Sequence, residues 1–376
     1  MQKLKREDAK KLYNCPILLG GDIEFFAQKD GVVIPADSKS FFVGKDEYKS
    51  VYDRYHKVFA DGVQIEINFP PYHCRESVVT GIVRAVIEAR NIANIKGASL
   101  IAVSAVKLKK SVLDTGGKLS HIMGCNPDYS AYTDIPNPPI EDFATHPIRT
   151  AGYHIQFGIK INPEQEKEFA RLCDRVIGTI AMWGDRDESH HMRKEDGIGL
   201  AGCYRNHPES SRFEYRTPGA FWIRQPALSH AILGVARMCG KLWLSGLSET
   251  IIAQMTDAEV RTAINNCDNN SCRRLAMRII PFMADAASHT DVYNSLSGLY
   301  PAMLSNSYIP DNRFDKKLAN PVHSLVWMLD GKIKFADSDI VKLYPSRYGW
   351  INYANYELRG NLEFLEWQEE FNEEIA

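Results

Sequence analysis

The chain is 376 residues long and 44% hydrophobic, with a formal net charge of −2. Such a length buries one large core or two ordinary ones, and the near-neutral balance excludes a global electrostatic pull toward nucleic acid or anionic membrane. No apolar run reaches the roughly 18 residues of a membrane span. The charged opening from Met1 to Asp8 is not that of a secretory signal, and the eight cysteines contain no Cys-x-x-Cys pair, so reduced thiols in a cytoplasmic protein are expected.

In chain order, residues 21–26 and 61–68 alternate polar and apolar side chains with the period of a strand. After Pro70-Pro71, residues 76–95 place Val79, Ile82, Val83, Val86, Ile87 and Ile92 at helical spacing. Residues 152–158 again alternate. Asn162-Pro163 then reads as the N-cap and first turn of a helix with Phe169, Leu172, Cys173, Val176 and Ile180 inward. The charged stretch 185–196, with His190 and His191, is expected to be a mobile loop that could close over a ligand. Residues 212–216 form a fourth alternating segment. Pro226 opens a helix, and Thr256 with Glu259 makes a capping-box pattern ahead of another at 257–266. A strand pair is expected at 322–329 and 332–335, turning on Asp330-Gly331. Strands interspersed with helices predict an α+β protein, read as one catalytic unit with a mostly helical portion from about residue 224.

The four alternating segments carry the chemistry. Successive strand side chains point to opposite faces, so Ile23, Phe25, Ile65, Ile67, Ile155, Phe157, Phe213 and Tyr215 face a core. The other face receives Asp22, Glu24, Gln64, Glu66, Asn68, His154, Gln156, Arg212, Glu214 and Arg216. A sheet with one solvated face shows the same alternation, yet Asp and Glu are poor strand formers and are rarely chosen for it. Carboxylates converging on one sheet repel by about 4 kcal/mol per pair at ~4 Å and an effective dielectric of 20. They must protonate, disperse or bind cations. Oxygen-rich ligands suit Mg²⁺ or Mn²⁺, which bind through a few carboxylates plus substrate phosphates, and Arg212 and Arg216 are placed to grip phosphate oxygens. The pattern predicts a Mg·ATP site.

These residues resemble the phage-type carboxylate–amine ligase family (type 2 amidoligases), of the glutamine synthetase and glutamate–cysteine ligase-like fold. The resemblance runs from about Leu18 to Ile223. It is carried by Gly21-Asp22-Ile23-Glu24-Phe25-Phe26, Asp61-Gly62 with Glu66-Ile67-Asn68, Gly124-Cys125-Asn126-Pro127-Asp128 with Ala131-Tyr132, Arg149 to His154, Gly199 to Arg205, and Glu214 to Trp222. It implies an antiparallel sheet with a charged concave face and helices on the other. It also implies metal binding by Asp22, Glu24, Glu66, His154 and Glu214, and ATP binding by His154 and Arg216, with Glu24, Glu66 and Arg216 catalytic; Arg212 joins the ATP-binding candidates from its place on the strand face. Asp22 stands where glutamate–cysteine ligases carry glutamate. Arg149, Asn68 and Asp61 are the candidate substrate-binding residues. The implied activity is ATP- and Mg²⁺-dependent amide formation, in the host cytoplasm if the gene is a phage's. Its substrates are a small-molecule or peptide carboxylate and amine, with a modified nucleobase left open as a substrate. A phosphotransferase of the same fold and a non-catalytic phage binding or structural protein are the alternatives.

Overall fold

The computed structural model describes residues 5–14, 17–39, 41–45, 57–72, 75–122, 128–134, 140–185, 187–223 and 226–288. Helix α1 (Arg6–Asn14) precedes strands β1 (Leu19–Lys29), β2 (Val32–Ile34), β3 (Lys57–Asp61) and β4 (Gln64–Tyr72). Helix α2 (Arg75–Ile95) leads to β5 (Ser99–Ile101), β6 (Ala105–Lys107) and α3 (Lys110–Leu113), then to β7 (Tyr129–Ser130), β8 (Ile148–Thr150) and β9 (Tyr153–Phe157). Helices α4 (Glu166–Cys173), α5 (Thr179–Gly184) and α6 (His190–Glu195) come before β10 (Cys203–His207) and β11 (Arg212–Tyr215). The described chain closes with α7 (Pro226–Leu244), α8 (Ser248–Ile252), α9 (Asp257–Asn265) and α10 (Asn269–Ser288). The strand pair expected at 322–335 lies outside the described residues, as does Cys125.

Among the described residues the main sheet runs β3-β4-β1-β9-β11-β10-β7, with β2 and β5 on the far end of β1. Every strand pair in it is antiparallel. Long β1 is the spine: its first half pairs with β4 and β9, and its second half with β2 and β5.

One face is apolar. Ile23, Phe25, Ile65, Ile67, Ile155, Phe157, Phe213 and Tyr215 are all fully buried, as the alternation predicts. They pack in one continuous core with Ile82 and Val86 of α2, Phe169 and Leu172 of α4, Val235 and Leu242 of α7, and Ile279 of α10. A smaller cluster of Phe26, Val63, Leu108, Leu113, Ala151 and Ala220 forms a second core.

The capping box forms as read: Thr256 Oγ1 accepts the Glu259 N–H at 3.2 Å, and Glu259 accepts the Thr256 N–H at 2.8 Å. At residue 162 the expected positions hold: Asn162 is the N-cap and Pro163 opens the first turn, but Pro163–Gln165 is a tight 3₁₀ turn and the Asn162 side chain makes no cap hydrogen bond. The Asn162 carbonyl accepts the Gln165 N–H instead. Residues 61–68 are likewise a hairpin. Asp61 ends β3 and Gln64 begins β4, with Gly62 at φ +68° turning the chain. That is a left-handed conformation glycine adopts without steric cost. Among the described residues no helix is long and apolar enough to cross a membrane.

Candidate active site

Strand register assembles the charged face. Asp22 stands opposite Asn68 on one side and His154 on the other. Glu24 stands opposite Glu66, and Glu214 lies between Gln156 and Arg205. Directly opposed residues share a face with their Cβ atoms about 5 Å apart, so the side chains meet in two groups. Asp22, His154 and Glu214 form one; Glu24, Asp61 and Glu66 form the other. In each, ligand atoms lie within 4.8 Å of one another.

Asp61 joins the second group because of the hairpin. In one continuous strand its odd position would put it on the face away from Glu66. The turn at Gly62 pairs Asp61 with Gln64 and returns it to the charged side.

The first group is tied to arginine. His154 Nδ1 lies 3.8 Å from Asp22 Oδ2 and 3.9 Å from Glu214 Oε1. It accepts a hydrogen bond from Arg216 Nη1 at 3.2 Å. Arginine only donates, so this nitrogen carries the lone pair and the imidazole proton sits on Nε2. Arg216 Nη1 also pairs closely with Glu214 Oε1. Its Nε approaches Asp128 Oδ1 at 2.8 Å as an ion pair out of line for a hydrogen bond. Arg205 reaches the same Asp128 oxygen at 3.1 Å. Gln156 donates to Asp22, and Glu24 Oε2 accepts the Gly152 N–H at 2.7 Å.

The proton affinities record burial first, with crowded negative charge adding to it at Glu24, Asp61 and Glu66. Burial, then Asp61, pushes Glu24 up to about 7. Burial raises Glu66 well above the carboxylate range, with Asp22, Asp61 and Glu24 adding to it. Burial also raises Asp61. Asp22 is raised by burial despite the opposing fields of Arg216, Arg212, Lys45 and Arg205. Burial, then the Arg216 charge, holds His154 well below its ordinary range, so it is neutral at pH 7.

Not every residue singled out from the sequence reaches this face in the same way. Arg212 and Asn68 are half-buried on it. Arg149 is not a free cationic ligand. It is buried in the separate β6–β8 sheet, where its guanidinium donates to the carbonyls of His146, Ile148, Ser120 and Phe143 at 2.6–3.0 Å. That places it as a clamp on the loop before β8.

The stretch expected to be a mobile loop is a packed element. In α6, His190, Arg193 and Lys194 are buried. Arg193 lies beneath the loop after β11, donating to the carbonyls of Thr217 at 2.8 Å and Arg216 at 3.1 Å. Its charge is felt at Glu24 and His154. The inward residues of α6 are polar, so apolar periodicity gave no sign of their burial. Asp128 and Arg205, which bracket Arg216, stand in two of the motifs noted above, although a role for them was not read there.

Residues 131–317 match the protein family described as Phage phiEco32-like COOH.NH2 ligase-type 2. No curated protein matches the sequence. Among solved structures, "Apo GmaS without ligand" is 13% identical with a TM-score of 0.38, over 83% of this chain and 75% of that one. "GmaS/ADP complex-Conformation 1" is 11% identical with a TM-score of 0.34, over 84% and 76% respectively. Likenesses this distant fix no residue's role. The family match spans β9 and β11, with His154, Glu214 and Arg216, and stops short of the strands bearing Asp22, Glu24, Asp61 and Glu66. Over residues 131–317 the chain is thus similar to the phage phiEco32-like COOH.NH2 ligase-type 2 family, a family of carboxylate–amine ligases.

Proposed function

We propose that the chain joins a carboxylate to an amine at the expense of ATP, with Mg²⁺ or Mn²⁺, through an acyl phosphate. One observation carries this: the charged face is polarised. Carboxylates crowd the β3-β4-β1 side, arginines crowd the β11-β10 side, and the two meet at His154, Glu214 and Arg216. A metal–nucleotide complex has the complementary polarity, with cations at one end and phosphate oxygens between them and the arginines.

The residues fit such ions. The donors are carboxylate oxygens and a neutral imidazole, hard ligands that suit Mg²⁺ or Mn²⁺ better than Zn²⁺. Burial raises the proton affinities of Asp22, Glu24, Asp61 and Glu66, with neighbouring acids adding to it at the last three, so cations entering this face would favour the ionised carboxylates. Asp22, His154 and Glu214 would hold one ion, and Glu24, Asp61 and Glu66 another. Bound there, divalent cations offset the charge that spreads over a transferring phosphoryl group.

The chain's own groups do the rest. Arg216 pairs with Glu214 and donates to His154, two of the groups that would hold an ion, so its guanidinium stands beside the place where phosphate oxygens would meet that ion. Arg205 and Arg212 extend the cationic edge. A carboxylate oxygen attacks the γ-phosphorus, the bond to the β-bridging oxygen breaks, and ADP leaves. The amine nitrogen then attacks the acyl carbon, and phosphate leaves with the C–O electron pair while the amine gives up a proton. Asn68, at the acidic end, is placed to orient the organic substrates, which are small-molecule or peptide carboxylates and amines. The buried thiols of the described cysteines suit the reducing cytoplasm.

The test is calorimetric titration of Mg·ATP into wild type and Glu214→Gln, followed by product analysis with carboxylate–amine pairs. We expect micromolar binding that needs the divalent ion and falls at least about tenfold in the variant. Turnover should give free phosphate and an amide. Binding indifferent to both the ion and the variant sinks the proposal, and a stable phosphorylated product would make the protein a kinase.

A further inference from the structure

Behind the sheet, opposite the charged face, the helix beginning at α4 widens into a π-helical turn at Asp174–Gly178 before continuing as α5. Such turns are rare and recur at functional sites. This one sets a carboxylate, Asp174, fully buried under the sheet. Its Oδ1 accepts the Tyr215 hydroxyl at 2.7 Å and its Oδ2 accepts the Tyr132 hydroxyl at 2.8 Å. Gly178 makes room for this arrangement, since a Cβ there would stand 2.5 Å from the Tyr215 hydroxyl.

The two tyrosines come from the segments that grip Arg216. Tyr215 lies between Glu214 and Arg216 in sequence, and its ring points to the apolar side as theirs point to the charged side. Tyr132 follows Asp128, the counter-ion of both Arg216 and Arg205. One carboxylate therefore ties together the two chain segments whose acids hold Arg216. A buried carboxylate costs free energy unless fully hydrogen-bonded, and apolar packing alone would fill the space behind β11.

We propose that Asp174 is a positioning residue: by anchoring Tyr132 and Tyr215 it sets the spacing of Asp128 and Glu214, and so the aim of Arg216 at phosphate. The role in phosphate binding rests on the reading of the charged face as a nucleotide site. Asp174 touches no reacting atom and acts through the two tyrosines.

The experiment uses the full chain as wild type, Asp174→Asn, Asp174→Leu, Tyr132→Phe and Tyr215→Phe, with Ile82→Ala on α2 as a destabilised control. Melting temperature, Mg·ATP affinity and crystal structures are measured for each. Asp174→Leu is expected to open the Arg216–Asp128 ion pair and weaken Mg·ATP binding by roughly 10–100-fold, the usual cost of losing an orienting partner. Asp174→Asn, which still offers an oxygen to one hydroxyl and an amide to the other, should recover most of that affinity. The control should melt lower with unchanged affinity.

An Arg216–Asp128 pair unmoved in Asp174→Leu overturns the anchor, whether or not nucleotide binds. Affinity that falls equally in the control reduces Asp174 to a stability role. A pair that opens in a protein whose wild type binds no Mg·ATP upholds the anchor and overturns the nucleotide reading. If Asp174→Leu does not fold, the two phenylalanine variants, which each lose one hydroxyl and keep the ring, carry the same comparison.

Discussion

Glu24→Gln tests the electrostatics of the acidic group without any knowledge of substrates. Glu24 is half-buried, faces Asp61 and Glu66 within 4.8 Å, and has its proton affinity raised from the ordinary 4.5 to about 7. At 1.36 kcal/mol per pH unit, this is worth about 3 kcal/mol between the two protonation states. It is a ceiling, because water reaching the half-buried carboxylate screens part of it. The native state binds this proton more tightly than the unfolded chain. The associated stability is therefore present below about pH 4.5 and lost as pH rises through 7. Glutamine cannot ionise, and its amide oxygen can still accept the Gly152 N–H. Without divalent ions, the variant should match wild type near pH 4.5 and exceed it by up to about 3 kcal/mol at pH 8. Added Mg²⁺ should stabilise wild type at pH 8 far more than the variant. Urea denaturation at the two pH values, with and without Mg²⁺, measures all of this. A variant less stable than wild type at pH 8, or a difference that does not change with pH, would refute the reasoning.

Two further substitutions probe the site's space and its support. A methyl group in Gly152→Ala would collide with His154 Nε2 and lie 2.9 Å from Arg193 Nη2. Calorimetry should show Mg·ATP affinity falling at least about tenfold as the imidazole is displaced, and unchanged affinity would mean His154 is not held where the site needs it. Phe169 meets Phe157 at 5.2 Å, Phe213 at 4.8 Å and Trp243 at 5.1 Å between ring centroids, bracing β9 and β11 from behind. Phe169→Ala should cost about 3–5 kcal/mol in denaturant unfolding; a loss under about 1 kcal/mol would mean the cluster repacks.

Much of this was legible in the chain. Period-two alternation assigned Ile23, Phe25, Ile65 and Ile67 to the core and Asp22, Glu24 and Glu66 to the other face, because a strand leaves a side chain only two directions. The cap at Thr256 and Glu259 was equally local, needing only a hydroxyl and a carboxylate three residues apart. Where a turn or a distant partner decided the outcome, local pattern failed. Asp61 reached Glu66 through a hairpin at Gly62 that the alternation concealed. Arg149 was taken up by four carbonyls, three of them on residues other than its immediate neighbour. Arg193, read as part of a mobile loop, became a buried support because the loop after β11 presents carbonyls to it.

The sequence by itself thus determined which side chains share a face of each strand. Only the tertiary structure decided which strands lie side by side, with β1 between β4 and β9 and β11 beyond. Covalent geometry sets the first and requires no other segment. The second depends on register and packing between segments distant in the chain, as where Asp22 meets His154 and Gln156 meets Glu214, and it is this neighbourhood that sorts the charges into two acidic groups and an arginine edge.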